Sequence, residues 1–236
     1  EHLCLSYNKS PNFLQQSGAL FLRATEENAR RLQCLRFIDQ SILRGLTISE
    51  DARGSPDEFK LREDVDLVIT SPPYVGAQKY IRASSLSIGW LALAPSNKLR
   101  PLERLNIGRE HFSKSEYEEP HFRRDSIGYE DLQHIWEVNP LRAHIAATYL
   151  NEMRAAIRQT VRRIRSGGRL VLISGNNTIV GKLFPTSGFL AALAEQEGLS
   201  LELELVDDIR SRGLMTKRNK TAGVITREHI HLFVKP

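Results

Sequence analysis

Three features of the amino-acid sequence predict an α/β fold built on a mainly parallel sheet. Two short runs rich in branched apolar residues, Val65-Asp66-Leu67-Val68-Ile69-Thr70 and Arg169-Leu170-Val171-Leu172-Ile173-Ser174, have the length and composition of buried strands. Segments with apolar residues at helical spacing stand before, between and after them. No internal repeat, low-complexity block or Gly/Ser linker points to a solenoid or a modular array. With 236 residues, 41% hydrophobic and 26% charged, the chain is long and apolar enough to bury its own core, and residues 1–236 are expected to form one elaborated domain.

In chain order, Thr25 can cap a helix running to Arg44, with Glu26 and Glu27 in its first turn and Ala29, Leu32, Leu35, Ile38 and Ile42 on one face. The strand 65–70 stops at Ser71-Pro72-Pro73-Tyr74, and a helix is expected from about Lys79 to Leu93. Residues 94–140 hold Pro95, Pro101, Pro120 and Pro140 with few periodic signals, and read as an inserted loop region. From Leu141 to Arg165 the pattern is helical again. Met153, Ile157, Val161 and Ile164 form one stripe beside Arg154, Arg158, Arg162 and Arg165, and Gly167-Gly168 is expected to end the helix. The second buried strand follows, then a helix near 187–197, a strand at 201–205 and a last strand at 229–234. No helix separates the last two strands, so they are expected to form an antiparallel edge pair. Alternating strands and helices place helices on both faces of the sheet and a ligand site at the carboxyl ends of its strands.

Composition narrows the chemistry. Two cysteines, Cys4 and Cys34, cannot supply a four-ligand zinc cluster and suggest no disulfide framework. His111, His121, His134 and His144 match no metal spacing, so no metal is expected. No run reaches the ~18–20 apolar residues that span a bilayer, and the first residues lack a signal-peptide pattern, so a cytoplasmic protein without a membrane partner is expected. Thirty-three Lys and Arg against 28 Asp and Glu give a net charge of +5. Much of that excess sits between Ile209 and Arg227, where Arg210, Arg212, Lys217, Arg218, Lys220 and Arg227 meet no acid. Together with Lys79 and Arg82, these residues suit a polyanion such as double-stranded DNA. The Arg row of the 141–165 helix reads more simply as a solvated face, and His229 and His231 as edge residues. Asp207-Asp208 reads as a strand end in a solvated turn.

Ser71-Pro72-Pro73-Tyr74 sits at the position where such a sheet keeps its site. Each proline fixes its own φ, removes a donor, and pushes the preceding residue toward extended backbone. The product is a stiff ledge with a hydroxyl at one end and an aromatic plane at the other. A diproline turn leaving a strand accounts for the same residues; the functional reading is that the ledge receives a flat, amino-substituted ring, with Ser71 accepting from the amine and Tyr74 stacking on the ring.

The stretch Asp66-Leu67-Val68-Ile69-Thr70-Ser71-Pro72-Pro73-Tyr74 resembles the catalytic motif of amino-methylating DNA methyltransferases, in the Thr-Ser-Pro-Pro-Tyr form typical of the cytosine-N4 branch. Asp51-Ala52-Arg53 resembles the segment of that family whose acid approaches the cofactor adenine. Residues 167–176, Gly-Gly-Arg-Leu-Val-Leu-Ile-Ser-Gly-Asn, resemble the turn and strand that build the far wall of its base pocket. The resemblance spans roughly residues 45–93 and 141–236. It implies a Rossmann-like class I methyltransferase sheet that uses S-adenosyl-L-methionine, turns a target cytosine out of the duplex and methylates its N4 amine in a restriction-modification or defence setting. Ser71, Pro72, Pro73 and Tyr74 are then the catalytic set, and Asp51, Ala52 and Thr70 lie on the cofactor side. Residues 94–140 become a candidate target-recognition or DNA-clamping segment.

The family's Gly-rich turn, often Phe-x-Gly-x-Gly, has no counterpart in the 236 residues: Gly18 is isolated, and Asn8-Lys9-Ser10-Pro11 is a poor match to the end of the second strand. The first strands of the sheet, with that turn, are therefore expected from an upstream segment or a second chain; a restriction endonuclease is a further candidate partner. Two other readings stand beside cytosine-N4 methylation. One is methylation of adenine N6 or of an RNA base. The other is a non-catalytic nucleic-acid-binding subunit of a split enzyme.

Overall fold

The computed structural model describes residues 13–34, 51–54, 64–76, 80–94, 99–210 and 225–236. The chain divides into two compact units, Glu1–Ile48 and Ser49–Pro236. The first contains helix α1 (Phe13–Cys34), whose Leu20, Phe21, Leu22 and Leu32 are exposed. This helix begins 12 residues before the expected Thr25 start. Thr25 does not cap it but lies within it, its Oγ1 donating back to the Phe21 carbonyl at 2.9 Å. The expected continuation from 35 to 44 falls outside the described residues, as does Cys4.

The second unit is organised by a four-stranded sheet, β1 (Val65–Thr70), β2 (Ile164–Gly175), β5 (Ser200–Asp208) and β6 (Arg227–Val234), in the order β1-β2-β6-β5. β1 runs parallel to β2, with Val68 opposite Leu170 and Thr70 opposite Leu172. β6 is antiparallel to both β2 and β5, which gives the expected antiparallel pair at one edge of a mixed α/β sheet. A separate hairpin pairs β3 (Asn177–Ile179) with β4 (Lys182–Phe184).

Alternation decides which side chains face the helices. Leu170 and Leu172 of β2 and Phe233 of β6 are fully buried in one core with α6 (Pro140–Arg163) and α7 (Thr186–Gln196). From α6 come Ala143, Ala146, Leu150, Met153, Ile157 and Val161; from α7 come Leu190, Leu193 and Ala194. On the opposite face Leu67, Ile69, Leu203 and Leu205 are exposed, Ile69 by 65%.

Helix α6 starts where its sequence allows. Pro140 occupies the first turn, where no backbone donor is needed, and the Asn139 side chain accepts from the Arg142 amide at 3.1 Å. It ends at Arg163, ahead of Gly167-Gly168, which belong to β2. A Cβ on Gly168 would lie 2.6 Å from Ile164 Cγ2 and 3.1 Å from the Asp66 carbonyl, so this glycine permits close packing within the sheet and is not the helix stop expected from sequence. The Lys235 ammonium instead covers the end of α6, donating to the carbonyls of Val161 and Ile164 at 3.0 and 2.6 Å.

The helix expected over 79–93 is broken into α2 (Tyr80–Ala83) and α3 (Ser85–Trp90). Residues 99–140 carry helices that the sequence pattern did not predict. They contain α4 (Leu99–Leu105), a 3-10 turn at Lys114–Tyr117, and α5 (Tyr129–Val138), whose Leu132 and Ile135 are buried in the core against α6. Glu130 and Asp131 in the first turn of α5 favour its start. Among the described residues no helix is long and apolar enough to cross a membrane.

Candidate active site

The ledge follows β1 directly. Ser71 is exposed, Pro72 is buried, Pro73 and Tyr74 are half-buried, and Val75 enters the core. Burial of Pro72 and Val75 anchors a rigid corner and leaves the serine hydroxyl at the surface.

Tyr74 is gripped from four sides. Its amide donates to Tyr80 Oη at 3.1 Å, and its hydroxyl donates to Glu228 Oε1 at 2.5 Å. Its carbonyl lies against Gly108, where a Cβ would stand 3.2 Å from that oxygen; Gly108 has φ +81°, a conformation that favours glycine. A Cβ on Gly175 would lie 3.2 Å from Tyr74 Cε1. Burial first, and then the Glu228 carboxylate, push the phenol far above its ordinary value, so the proton stays on tyrosine.

The expected far wall, Gly175-Asn176, is next to the ledge and tied to it. Asn177 Nδ2 donates to the Val75 carbonyl at 2.6 Å. Asn176 Oδ1 accepts from the amide and hydroxyl of Ser187 at 3.0 and 2.7 Å, which fixes this wall to the start of α7. A groove opens beside Tyr80, lined also by Asn106, Gly108, Arg109 and Glu110. Residues 106–110 therefore border the ledge.

The Asp51 segment joins an ion-pair network. Arg53 donates to Asp51 through Nε and Nη2, the latter at 2.6 Å, and to Glu152 Oε1 at 2.9 Å. Arg109 donates to the same Glu152 oxygen and lies 4.7 Å from the centre of the Phe112 ring. The hydrogen bond from Arg53 holds the Asp51 carboxyl below its ordinary range. Asp51 and Ala52 are exposed and Thr70 is half-buried.

Arg82 and Arg210 are exposed; Lys79, Arg212, Lys217, Arg218 and Lys220 lie outside the described residues. Of the Arg row, Arg158, Arg162 and Arg165 are exposed, as a solvated face requires; Arg158 pairs with Glu197 at 2.9 Å, Arg165 with Asp66 at 2.6 Å, and Arg154 reaches Gln196. His229 and His231 are not edge residues, because β6 lies between β2 and β5. His229 pairs with Glu204 at 3.0 Å, and His231 is buried. Asp207 and Asp208 continue β5, where Asp208 pairs with Arg227 at 2.7 Å. Among the described residues no group of His, Cys, Asp and Glu is arranged to hold a metal ion.

Sequence reasoning missed Gly108, Tyr80, Asn177 and Glu228, all of which grip the ledge. Gly108 carried a weak signal as a glycine within a polar stretch. Glu228, 154 residues from Tyr74, carried none.

No known family profile and no curated protein matches the chain. Solved structures of a Thermus thermophilus protein, provisionally described as a DNA modification methylase, are similar to it. The selenomethionine derivative has 19% identity over 79% of this chain and 50% of the other, with a TM-score of 0.37. The complex with S-adenosyl-L-methionine has 18% identity over 79% and 51%, with a TM-score of 0.40. The chain thus spans about half the length of that protein.

Proposed function

We propose that this chain binds the target base in an S-adenosyl-L-methionine-dependent DNA methyltransferase, and that the acceptor is the N4 amine of a cytosine turned out of the duplex. The observation that carries the reading is the ledge itself: an exposed serine hydroxyl at the carboxyl end of a strand, followed by two prolines and a tyrosine held through its amide, carbonyl, ring and hydroxyl.

The residues act by orientation. A cytosine amine is a poor nucleophile because its lone pair is shared with the ring, and a serine hydroxyl is too weak an acid to serve as a strong base at neutral pH. Ser71 accepts one amine hydrogen and the Pro72 carbonyl the other, which favours a pyramidal nitrogen with its lone pair directed outward. Tyr74 holds the ring plane. Positioning of this kind supplies up to ~7–11 kcal/mol in the best-aligned systems. When bound, S-adenosyl-L-methionine supplies an electrophilic methyl group on a sulfonium.

On the donor side, an exposed carboxylate in a polar, arginine-braced loop has the chemistry to accept from an adenine amine. Asp51, Ala52 and Thr70 would hold that end of the cofactor. In this reading a Gly-rich turn on an upstream segment or a second chain would complete the donor site, because a backbone without side chains allows close approach. The basic residues 210–220 and Arg82 hold DNA phosphates, and residues 94–140 contact the DNA near the turned-out base.

Incubating the complete enzyme with DNA and methyl-labelled S-adenosyl-L-methionine, followed by nucleoside mass spectrometry, should yield N4-methylcytosine. N6-methyladenine or a modified RNA base would redirect the assignment, and no labelled base would reject it. The engagement of Asp51 by Arg53 favours one second reading, a nucleic-acid-binding subunit that holds the base without a donor. Calorimetric titration with S-adenosyl-L-methionine separates the two.

A further inference from the structure

We propose that Glu228 is a positioning residue for Tyr74, and that Gly175 is the gap through which the tyrosine reaches it. The inference rests on the proposal that Tyr74 forms the plane for the nucleobase, and adds what fixes that plane.

The strand order creates the problem that these two residues solve. Tyr74 follows β1, whereas Glu228 belongs to β6, and β2 lies between them. To reach the carboxylate, the tyrosine must cross the carboxyl end of β2. The β2–β6 register sets Gly175 directly opposite Glu228, so the crossing point is a glycine. A side chain there would collide: its Cβ would stand 2.7 Å from Ile225 Cγ2 and 3.2 Å from Tyr74 Cε1. At the far end the hydroxyl meets Glu228 Oε1 at 2.5 Å. With the Tyr74 amide on Tyr80 Oη and its carbonyl against Gly108, the residue is fixed at both its backbone and its tip. A tyrosine has two side-chain torsions, and anchors at both ends leave neither free.

The charge at this position needs a reason. Glu228 follows a segment from 209 to 227 that holds six basic residues and no acid. A carboxylate next in sequence to a basic segment lowers the attraction of that segment for a polyanion, and among the described residues its side chain accepts from Tyr74. An ionised acceptor makes a shorter and stronger bond to a phenol than a neutral one does. Glu228 therefore acts on the orientation of the ring and not on attraction of the nucleic acid.

The test is single-turnover methyl transfer and DNA affinity measured on the complete enzyme. Glu228→Ala should lower the transfer rate by about ten- to a hundredfold, the range expected for losing a hydrogen bond to a charged group. DNA affinity should hold or tighten. Glu228→Gln keeps an acceptor oxygen and should recover most of the rate. Tyr74→Phe should match Glu228→Ala, and the double variant should be no slower than either, because both remove one bond. Additive losses in the double variant, or a Glu228→Ala loss confined to DNA affinity, would overturn the proposal. Should Glu228→Ala fail to fold, Tyr74→Phe and Glu228→Gln carry the test. A normal rate in Glu228→Ala with an inactive Tyr74→Ala would reject Glu228 alone, whereas a normal rate in Tyr74→Ala would reject the base-binding ledge itself.

Discussion

Gly108 lies against the Tyr74 carbonyl with φ +81°, so close that a Cβ there would stand 3.2 Å from the carbonyl oxygen. The turn at Gly108 and the ledge are thus fitted at backbone level. Gly108→Ala brings both a left-handed strain of ~1–2 kcal/mol and a tight contact. The expected result is a loss of stability of that order in urea denaturation, with a larger proportional loss of methyl transfer, because the displaced atom belongs to the ledge.

Glu152 holds two arginines at once. Its removal leaves Arg53 and Arg109, both largely buried, without their shared carboxylate. Breaking a fully buried pair costs ~3–5 kcal/mol, and the residual exposure here reduces the expected loss for Glu152→Ala to ~2–3 kcal/mol. Chemical denaturation at neutral pH measures it. Glu152→Gln should retain part of the stability, since its amide oxygen still accepts.

The stability of the second unit should fall below pH 6.5. His144 is buried against Phe112 and His121, and burial holds its pKa below the ordinary 6.5; the charges of His121 and Arg109 act in the same direction, and Glu116 opposes them. Burial lowers His231 in the same way. A depressed histidine remains neutral in the folded state while the unfolded chain takes up the proton, so its stability contribution is intact above 6.5 and declines as pH falls through that value. Thermal melts from pH 8 to 5 should show the decline, and His144→Phe should flatten it by several degrees relative to the parent. An unchanged profile would mean that His144 protonates without cost.

Ala substitutions at Arg212, Lys217, Arg218 and Lys220 should weaken binding of DNA duplexes irrespective of sequence. Each lost phosphate contact should reduce the slope of log affinity against log salt by about 0.9. Substituting Arg158 and Arg165 should leave that slope unchanged, because both already serve carboxylates of this chain.

Asn177→Ala should loosen the ledge without touching it. The amide donates to the Val75 carbonyl at 2.6 Å, and an unpaired buried carbonyl costs ~1–3 kcal/mol. Hydrogen exchange should rise in residues 71–76, together with a reduced rate of transfer.

Elements defined by local pattern were legible in the sequence. β1, β2, β6, α6 and α7 lie within a few residues of their expected limits, apart from the early start of β2, because burial against one core imposes a clear period on each. Where a residue has two local uses, the reading failed: Thr25 bonds back within its helix, and Gly168 permits a close approach instead of a stop. α5 was hidden by the prolines around it, although Leu132, Ile135 and Trp136 have helical spacing. The ledge was legible because its chemistry is contiguous. Its supports were not, because Gly108 and Glu228 reach Tyr74 only through tertiary structure, which no local period encodes.

The place of β6 has a consequence for synthesis. β5 emerges from the ribosome before β6, yet β6 is its described sheet neighbour. Until the basic segment and residues 227–234 have also cleared the exit tunnel, Leu201, Leu203 and Leu205 have no ladder to join, and Tyr74 waits without Glu228. Closure of this edge of the sheet and locking of the ledge therefore wait on the same strand, and the two form together once residues 227–234 are free to pair.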